Sequence, residues 1–201
     1  MSGLFERLRG ALVRGHAQAL PDLLSDKEFD HAEQPRAAAV LIAVTERAQP
    51  GVLLIHRPQT MRNHAGQVAF PGGKIDLGED AVTAALREAE EELGIPAATV
   101  QVVGTTDAYH TGTGYHVTPV LGVVPPDLPL QPNPAEVDRW FEAPLDFLLD
   151  TRNHTPQSAM WKGRRRDYLS VEWQEHRIWG VTAAIIANLS RRLDLTEAIG
   201  G

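Results

Sequence analysis

The apolar positions fall into two rhythms. Ala37–Val44 is a continuous apolar run and reads as a buried strand. The turn residues Gln49, Pro50 and Gly51 separate it from a second such run, Val52–His56, so the two predict a hairpin. Gln67–Phe70 is short and extended, and Pro71, Gly72 and Gly73 stop it. The period then changes. At about 100° per residue, Val82, Ala85, Leu86, Ala89 and Leu93 share one stripe, which predicts a helix over Ala81–Leu93. Asp80 can cap its start, and Gly94 and Pro96 close its end. Strand-like segments follow at Thr99–Thr106, His116–Val124, Val137–Phe141 and Tyr168–Trp173. Pro144–Leu149 reads as a short helix and Val181–Leu193 as an amphipathic one. Strands and helices mixed without strict alternation predict an α+β fold or a mixed-sheet sandwich.

The N-terminal stretch carries Arg7, Arg9 and Arg14 among apolar residues, as a targeting peptide would. Glu6 among them, and Asp22, Asp26, Glu28 and Asp30 soon after, favour a short amphipathic helix packed on the domain instead. The expected division is a helical extension over residues 1–35, a single domain over 36–195, and a tail over 196–201. Between Pro125 and Ala135 lie five prolines in eleven residues, a stiff surface connection too short to separate domains.

Length and composition narrow the classes. A chain of 201 residues, 43% hydrophobic, suits one domain with its own core. It has no cysteine, which excludes disulfides, a thiolate nucleophile and cysteine-ligated zinc. That fits a reducing compartment, and a cytoplasmic location is the expectation. The net charge of −7 argues against a general nucleic-acid binder, and no apolar run reaches membrane-spanning length. A phosphate-handling site in so acidic a chain needs local arginines or metal ions. A homodimer remains open.

The chemistry concentrates on the 81–93 helix. Glu88 and Glu92, four apart, stack along one edge of the apolar stripe; Glu91 lies one position further round, and Glu90 falls on the opposite edge. Like charges at such spacing cost about 0.2–0.5 kcal/mol per pair. A bound hard cation reverses the sign of that interaction, because Mg²⁺ and Mn²⁺ prefer carboxylate oxygen. Arg87 can pair with Glu91 or with Glu79. Taken alone, the acids would read as an ordinary solvated face.

The whole segment Gly73–Ile95 alters that reading. Gly73, Glu79, Arg87, Glu88, Ala89, Glu91, Glu92, Gly94 and Ile95 stand at the spacing of the Nudix signature, with alanine at 89 the mildest departure. The chain thus resembles the Nudix hydrolases. That resemblance implies an α/β/α sandwich around a mixed sheet and a Mg²⁺ or Mn²⁺ cofactor. It also implies Glu88, Glu91 and Glu92 as metal ligands, aided by backbone at Gly72-Gly73, with Arg87 and Glu79 as orienting residues. The implied reaction is attack of metal-activated water on one phosphorus of a diphosphate. The proton acceptor is Glu88, Glu91 or an acid from a distant loop. Glu136, which follows the proline-rich stretch, is that loop acid or a plain surface residue; Glu142 is the weaker choice.

Upstream, Leu53, Leu54, Arg57, Arg62, Gly66, Phe70, Pro71, Gly72 and Gly73 keep a second pattern, similar to that of the coenzyme A pyrophosphatase branch of the family. Ile55 and Pro58 depart from it, replacing threonine and serine, and neither change removes a charge. The similarity continues through Thr113–Val120 and Trp179–Thr182. It implies coenzyme A as the small-molecule substrate, its phosphates met by Arg57, Arg62 and Lys74, with Tyr115 stacking on adenine, closing the pocket or simply packing.

The remaining candidates read as structural. His56, His64, His110 and His116 match no zinc spacing. Ser158, Ser170 and Ser190 lack a nucleophile-elbow context. Arg164–Arg166 reads as a solvated turn, and Trp140, Trp161, Trp173 and Trp179 as core or oligomer-contact residues.

Overall fold

A computed structural model of the chain describes residues 3–29, 34–59, 66–161 and 163–193. In chain order the elements are α1 (Gly3–His16), β1 (Arg36–Thr45), β2 (Gly51–His56), β3 (Val68–Ala69), β4 (Gly72–Lys74) and α2 (Ala81–Leu93). There follow β5 (Gln101–Thr105), β6 (Tyr109–His110), β7 (Tyr115–Val124), β8 (Arg139–Pro144) and α3 (Leu145–Leu149). The chain ends through β9 (Thr155–Trp161), β10 (Arg164–Trp173), β11 (His176–Trp179) and α4 (Val181–Arg192).

β1 organises the main sheet. It runs parallel to β7 along its whole length, from Arg36↔Tyr115 to Thr45↔Val124. On its other side it pairs with β2 only at Val44↔Val52, next to the turn. Past that point the hairpin splays, and the segment after residue 67 fills the gap: β3 pairs with β2 and β4 with β1. Leu41 N–H donates to Pro71 O at 2.8 Å between those two pairings. β8 covers the far edge of β2, and β5 and β6 pair with β7.

Both faces of this sheet are covered. Ala39, Leu41 and Ala43 point to one face, against Ala85, Ala89 and Leu93 of α2. Ala38, Ile42 and Val44 point to the other, in one cluster with Leu8 and Leu12 of α1 and Ile185 and Leu189 of α4. The period-2 alternation thus serves two cores, which is why β1 is apolar at every position from 37 to 44. The result is the expected mixed sheet between helical layers. Among the described residues, no helix is long and apolar enough to cross a membrane.

Several boundaries differ from the expectation. Residues 97–99 form a 3-10 turn before β5, because Pro96 begins that turn. The strand expected at 137–141 is shifted to 139–144, and Val137 lies buried just before it. β9 and β11 went unforeseen, and β10 begins four residues earlier than its apolar part; the three form a separate antiparallel sheet. β9 is exposed at most positions, so it offers no apolar period to read. Arg164, Arg165 and Arg166 are therefore not a turn: they pair with Trp161, Met160 and Ala159. Arg166 forms an ion pair with buried Asp26, its Nε donating to Oδ1 at 3.0 Å. None of the four tryptophans belongs to the fully buried core; Trp140 and Trp179 are exposed.

The N-terminal helix is tied to the C-terminal one by Arg192. Its guanidinium donates to Gly15 O at 2.6 Å, Gln18 O at 2.9 Å and both carboxylate oxygens of Asp107, at 2.6 and 2.8 Å. A Cβ on Gly15 would meet Arg192 O at 2.0 Å, so only glycine permits this approach. Arg192→Met is expected to cost about 3 kcal/mol, because it leaves the partly buried Asp107 carboxylate without its cation and removes the guanidinium donor from Gly15 O and Gln18 O. Urea unfolding reads the change, and parental stability would show that the clamp contributes nothing.

Candidate active site

α2 begins and ends where its sequence dictates. The Asp80 side chain accepts from Thr83 N at 2.7 Å, and Gly94, at φ 68°, closes the helix in the left-handed region. Packing rotates the buried stripe slightly from the wheel: Ala84 is buried, whereas Val82 and Leu86 are half-buried. Glu92 is thereby carried into the sheet interface, where it is 1% exposed.

A buried carboxylate needs partners. Glu92 Oε2 accepts from Gly72 N–H at 2.8 Å, and Oε1 lies 3.7 Å from Arg57 Nη1. Burial nevertheless dominates and pushes its pKa up to about 8. Glu88, one turn earlier, is also pushed up by burial, against the opposing pull of Arg87. Its carboxylate occupies the space beside Gly73, where an added Cβ would stand 2.4 Å from Oε1. The two glycines that end the 67–73 segment thus make room for two acids, one through an N–H and the other through a missing side chain.

The third acid arrives from the proline-rich loop. Gln131 N donates to Leu93 O at 2.8 Å and Asn133 N to Glu92 O at 2.9 Å, capping carbonyls that the end of α2 leaves unpaired. Asn133 O and Nδ2 then hold Glu136, through its N–H at 3.0 Å and its Oε1 at 3.2 Å. Oxygens of Glu88, Glu92 and Glu136 lie within 4.8 Å of one another. Glu142, the other loop acid considered, sits with Thr45 and Arg47 instead, away from this cluster.

Arg87 organises the rim with every N–H it has. Nε and Nη2 hold Glu79 in a two-pronged pair at 2.9 and 3.1 Å, and Nη1 reaches Glu88 at 2.9 Å and Glu91 at 3.1 Å. The remaining donor meets Lys74 O at 3.0 Å, linking α2 to β4. This pairing holds the Glu79 carboxyl below its ordinary range. Both partners foreseen for Arg87 are therefore engaged at once.

The expected trio of Glu88, Glu91 and Glu92 does not converge in this arrangement. Glu91 sits about 100° around the helix from Glu92 and is 52% exposed, paired with Arg87. Glu136 takes the third place. The signal available for it was its position: an acid directly after a stiff loop of fixed reach. Arg57 does double duty, pairing with Glu92 and lining the adjoining cavity together with Gly72, Gly73, Lys74 and Tyr115. Tyr115 has one ring face covered by the guanidinium of Arg36, 4.0 Å from the centroid. Arg62 and His64 lie outside the described residues. His56 is not a metal ligand in waiting but bonds His176, Nε2 to Nδ1, at 2.9 Å, and burial lowers the pKa of both rings. His110 and His116 pack ring to ring at 4.4 Å.

Three carboxylates from a helix and a loop, one fully buried and hydrogen-bonded to backbone, form an oxygen donor set that fits a hard divalent cation. Comparison with known proteins agrees. The family described as NUDIX domain matches residues 34–162. The proteins named "Uncharacterized Nudix hydrolase NudL" from Escherichia coli (strain K12) and Escherichia fergusonii are 43% and 47% identical, over 159 and 161 residues, covering 79% of this chain and 83% of each relative. A solved Nudix hydrolase from M. smegmatis, RenU, is 27% identical over 59% of this chain and 76% of that one, with a TM-score of 0.50. The chain belongs to the Nudix hydrolase family. It is a pyrophosphatase of that family, whose members generally need a divalent metal.

Gly73→Ala is expected to displace the Glu88 carboxylate and weaken Mn²⁺ binding at least tenfold, with the circular dichroism spectrum unchanged. Calorimetric titration showing parental Mn²⁺ affinity would contradict the crowding argument.

Proposed function

We propose that the enzyme hydrolyses the diphosphate of coenzyme A or its derivatives to 3',5'-ADP and 4'-phosphopantetheine, using Mg²⁺ or Mn²⁺. The observation that carries this reading is that residues of the coenzyme A branch pattern, Arg57, Phe70, Gly72 and Gly73, line one cavity beside the cluster of Glu88, Glu92 and Glu136. That cavity, about 430 Å³, is large enough for part of such a substrate. Among the described residues it is lined by Arg57 and Lys74 and by no carboxylate, which suits an anionic ligand in a chain of net charge −7.

Glu88, Glu92 and Glu136 would hold the cation, with Glu91, paired with Arg87 at the exposed rim, sharing or orienting a second ion. When bound, the ion would neutralise phosphate oxygens and lower the pKa of water. The chain's own residues do the rest. Arg57 and Lys74 hold phosphate oxygens, and Arg87 fixes Glu88 and Glu79 in place. A carboxylate of the cluster takes the proton as the water oxygen bonds to phosphorus. The bond from phosphorus to the bridging oxygen breaks, and the leaving phosphate carries that oxygen away. Arg87 keeps Glu88, one of the candidate acceptors, oriented within the cluster.

Incubation with coenzyme A and Mg²⁺ or Mn²⁺ should yield the bisphosphate, and chelator should stop the reaction. Cleavage of ADP-ribose or another nucleoside diphosphate derivative, with coenzyme A left intact, would overturn the substrate assignment. Glu92→Gln should lower kcat at least a thousandfold while the protein stays folded; turnover at the parent's rate would remove Glu92 from the metal site.

A further inference from the structure

The family match ends at residue 162, yet one wall of the cavity lies beyond it. Trp179, Val181, Thr182 and Ile185, from the end of β11 and the start of α4, face Val40, Val68 and Val117 of the main sheet region. Thr182 Oγ1 donates to Val68 O at 2.9 Å, fastening the helix start to β3. The His56–His176 bond fastens the start of β11 to the end of β2, one residue before Arg57. This wall is therefore held in register with the cation that reaches Glu92.

We infer that the β11–α4 wall is the specificity element of the enzyme, and that the cavity it closes receives the uncharged branched arm of the substrate, the pantetheine portion, rather than its nucleobase. The lining favours the first. Flat bases are held by open aromatic faces, and here Phe70 is 2% exposed and one face of Tyr115 is covered by Arg36. Trp179, whose ring meets Tyr168 edge-on at 5.7 Å, stands at the rim, and the apolar walls are otherwise aliphatic (Val40, Val68, Val117, Val181 and Ile185), which suits a gem-dimethyl group and a flexible chain. The hydroxyls of Thr111 and Thr113 pair with each other at 3.1 Å, and that of Thr182 donates to Val68 O, which leaves one hydroxyl hydrogen among the three for a ligand. Arg57 and Lys74 among the lining residues supply cations where the arm joins its phosphate.

The inference rests on the coenzyme A reading, and two measurements separate them. Trp179 is 36% exposed at the cavity, so pantetheine added to the full chain should quench its fluorescence, and Trp179→Phe should lose that response. Val181→Phe, on the half-buried rim, should lower the ratio of kcat/KM for coenzyme A to that for ADP-ribose at least tenfold; Ile185→Phe is the second variant should the first fail to fold. Quenching by pantetheine in an enzyme that leaves coenzyme A intact overturns the substrate reading and keeps the cavity assignment. Cleavage of coenzyme A with no quenching and an unchanged ratio overturns the cavity assignment and keeps the substrate. Quenching by adenosine 3',5'-bisphosphate in place of pantetheine puts the base in the cavity and also overturns it.

Discussion

The burial of one carboxylate, Glu92, shapes everything around it. An acid at 1% exposure in a sheet–helix interface is unfavourable by several kcal/mol unless it is paired or hydrogen-bonded. Its partners come from places that only this topology unites. Gly72 N–H is available because β1 and β2 splay and let the 68–74 segment enter between them. Arg57 is at hand because it directly follows β2. The backbone carbonyl of the same glutamate receives the loop that brings Glu136. One residue of α2 thereby ties together the sheet, the glycine pair and the proline-rich connection.

That arrangement also explains why repulsion among the acids does not unfold the helix. Glu88 and Glu92 lie against a rigid backbone rather than in free solvent, and Arg87 and Arg57 each neutralise part of the charge. The compensation is incomplete, since burial still raises the proton affinity of both acids. A divalent cation held by Glu88, Glu92 and Glu136 would complete it, so the stability of the site and its chemistry would draw on the same unmet charge.

Much of this was legible in the sequence, for identifiable reasons. The limits of α2 follow from Asp80 and Gly94, residues whose capping roles are local. β1 and β7 are apolar on both faces and carry their own signal. The convergence of Glu136 with Glu88 and Glu92 depends on carbonyl caps between segments some forty residues apart, which no local period encodes. Glu91 stays outside that cluster because it lies further round the helix, on the exposed side and paired with Arg87, and a helical wheel gives angles but not which side the sheet covers. β9 was missed because its residues face water on most positions and pair only through backbone.

The small sheet raises a further physical point through its attachment. His56 and His176 share one N–H···N bond, and Phe141 stacks on His176 with ring centroids 3.6 Å apart. Such a bond requires that at least one ring be neutral, since two imidazolium groups present only donors to each other. Burial disfavours the charged form of both, with Arg139 adding to the effect and Asp138 and Glu175 opposing it. A lysine or carboxylate at either position would bring an unpaired charge into this junction, and an aliphatic residue would lose the directional bond. A histidine pair instead gives a neutral, oriented contact between two sheets. It lets a wall built outside the family's common core keep a fixed position relative to the acids within that core.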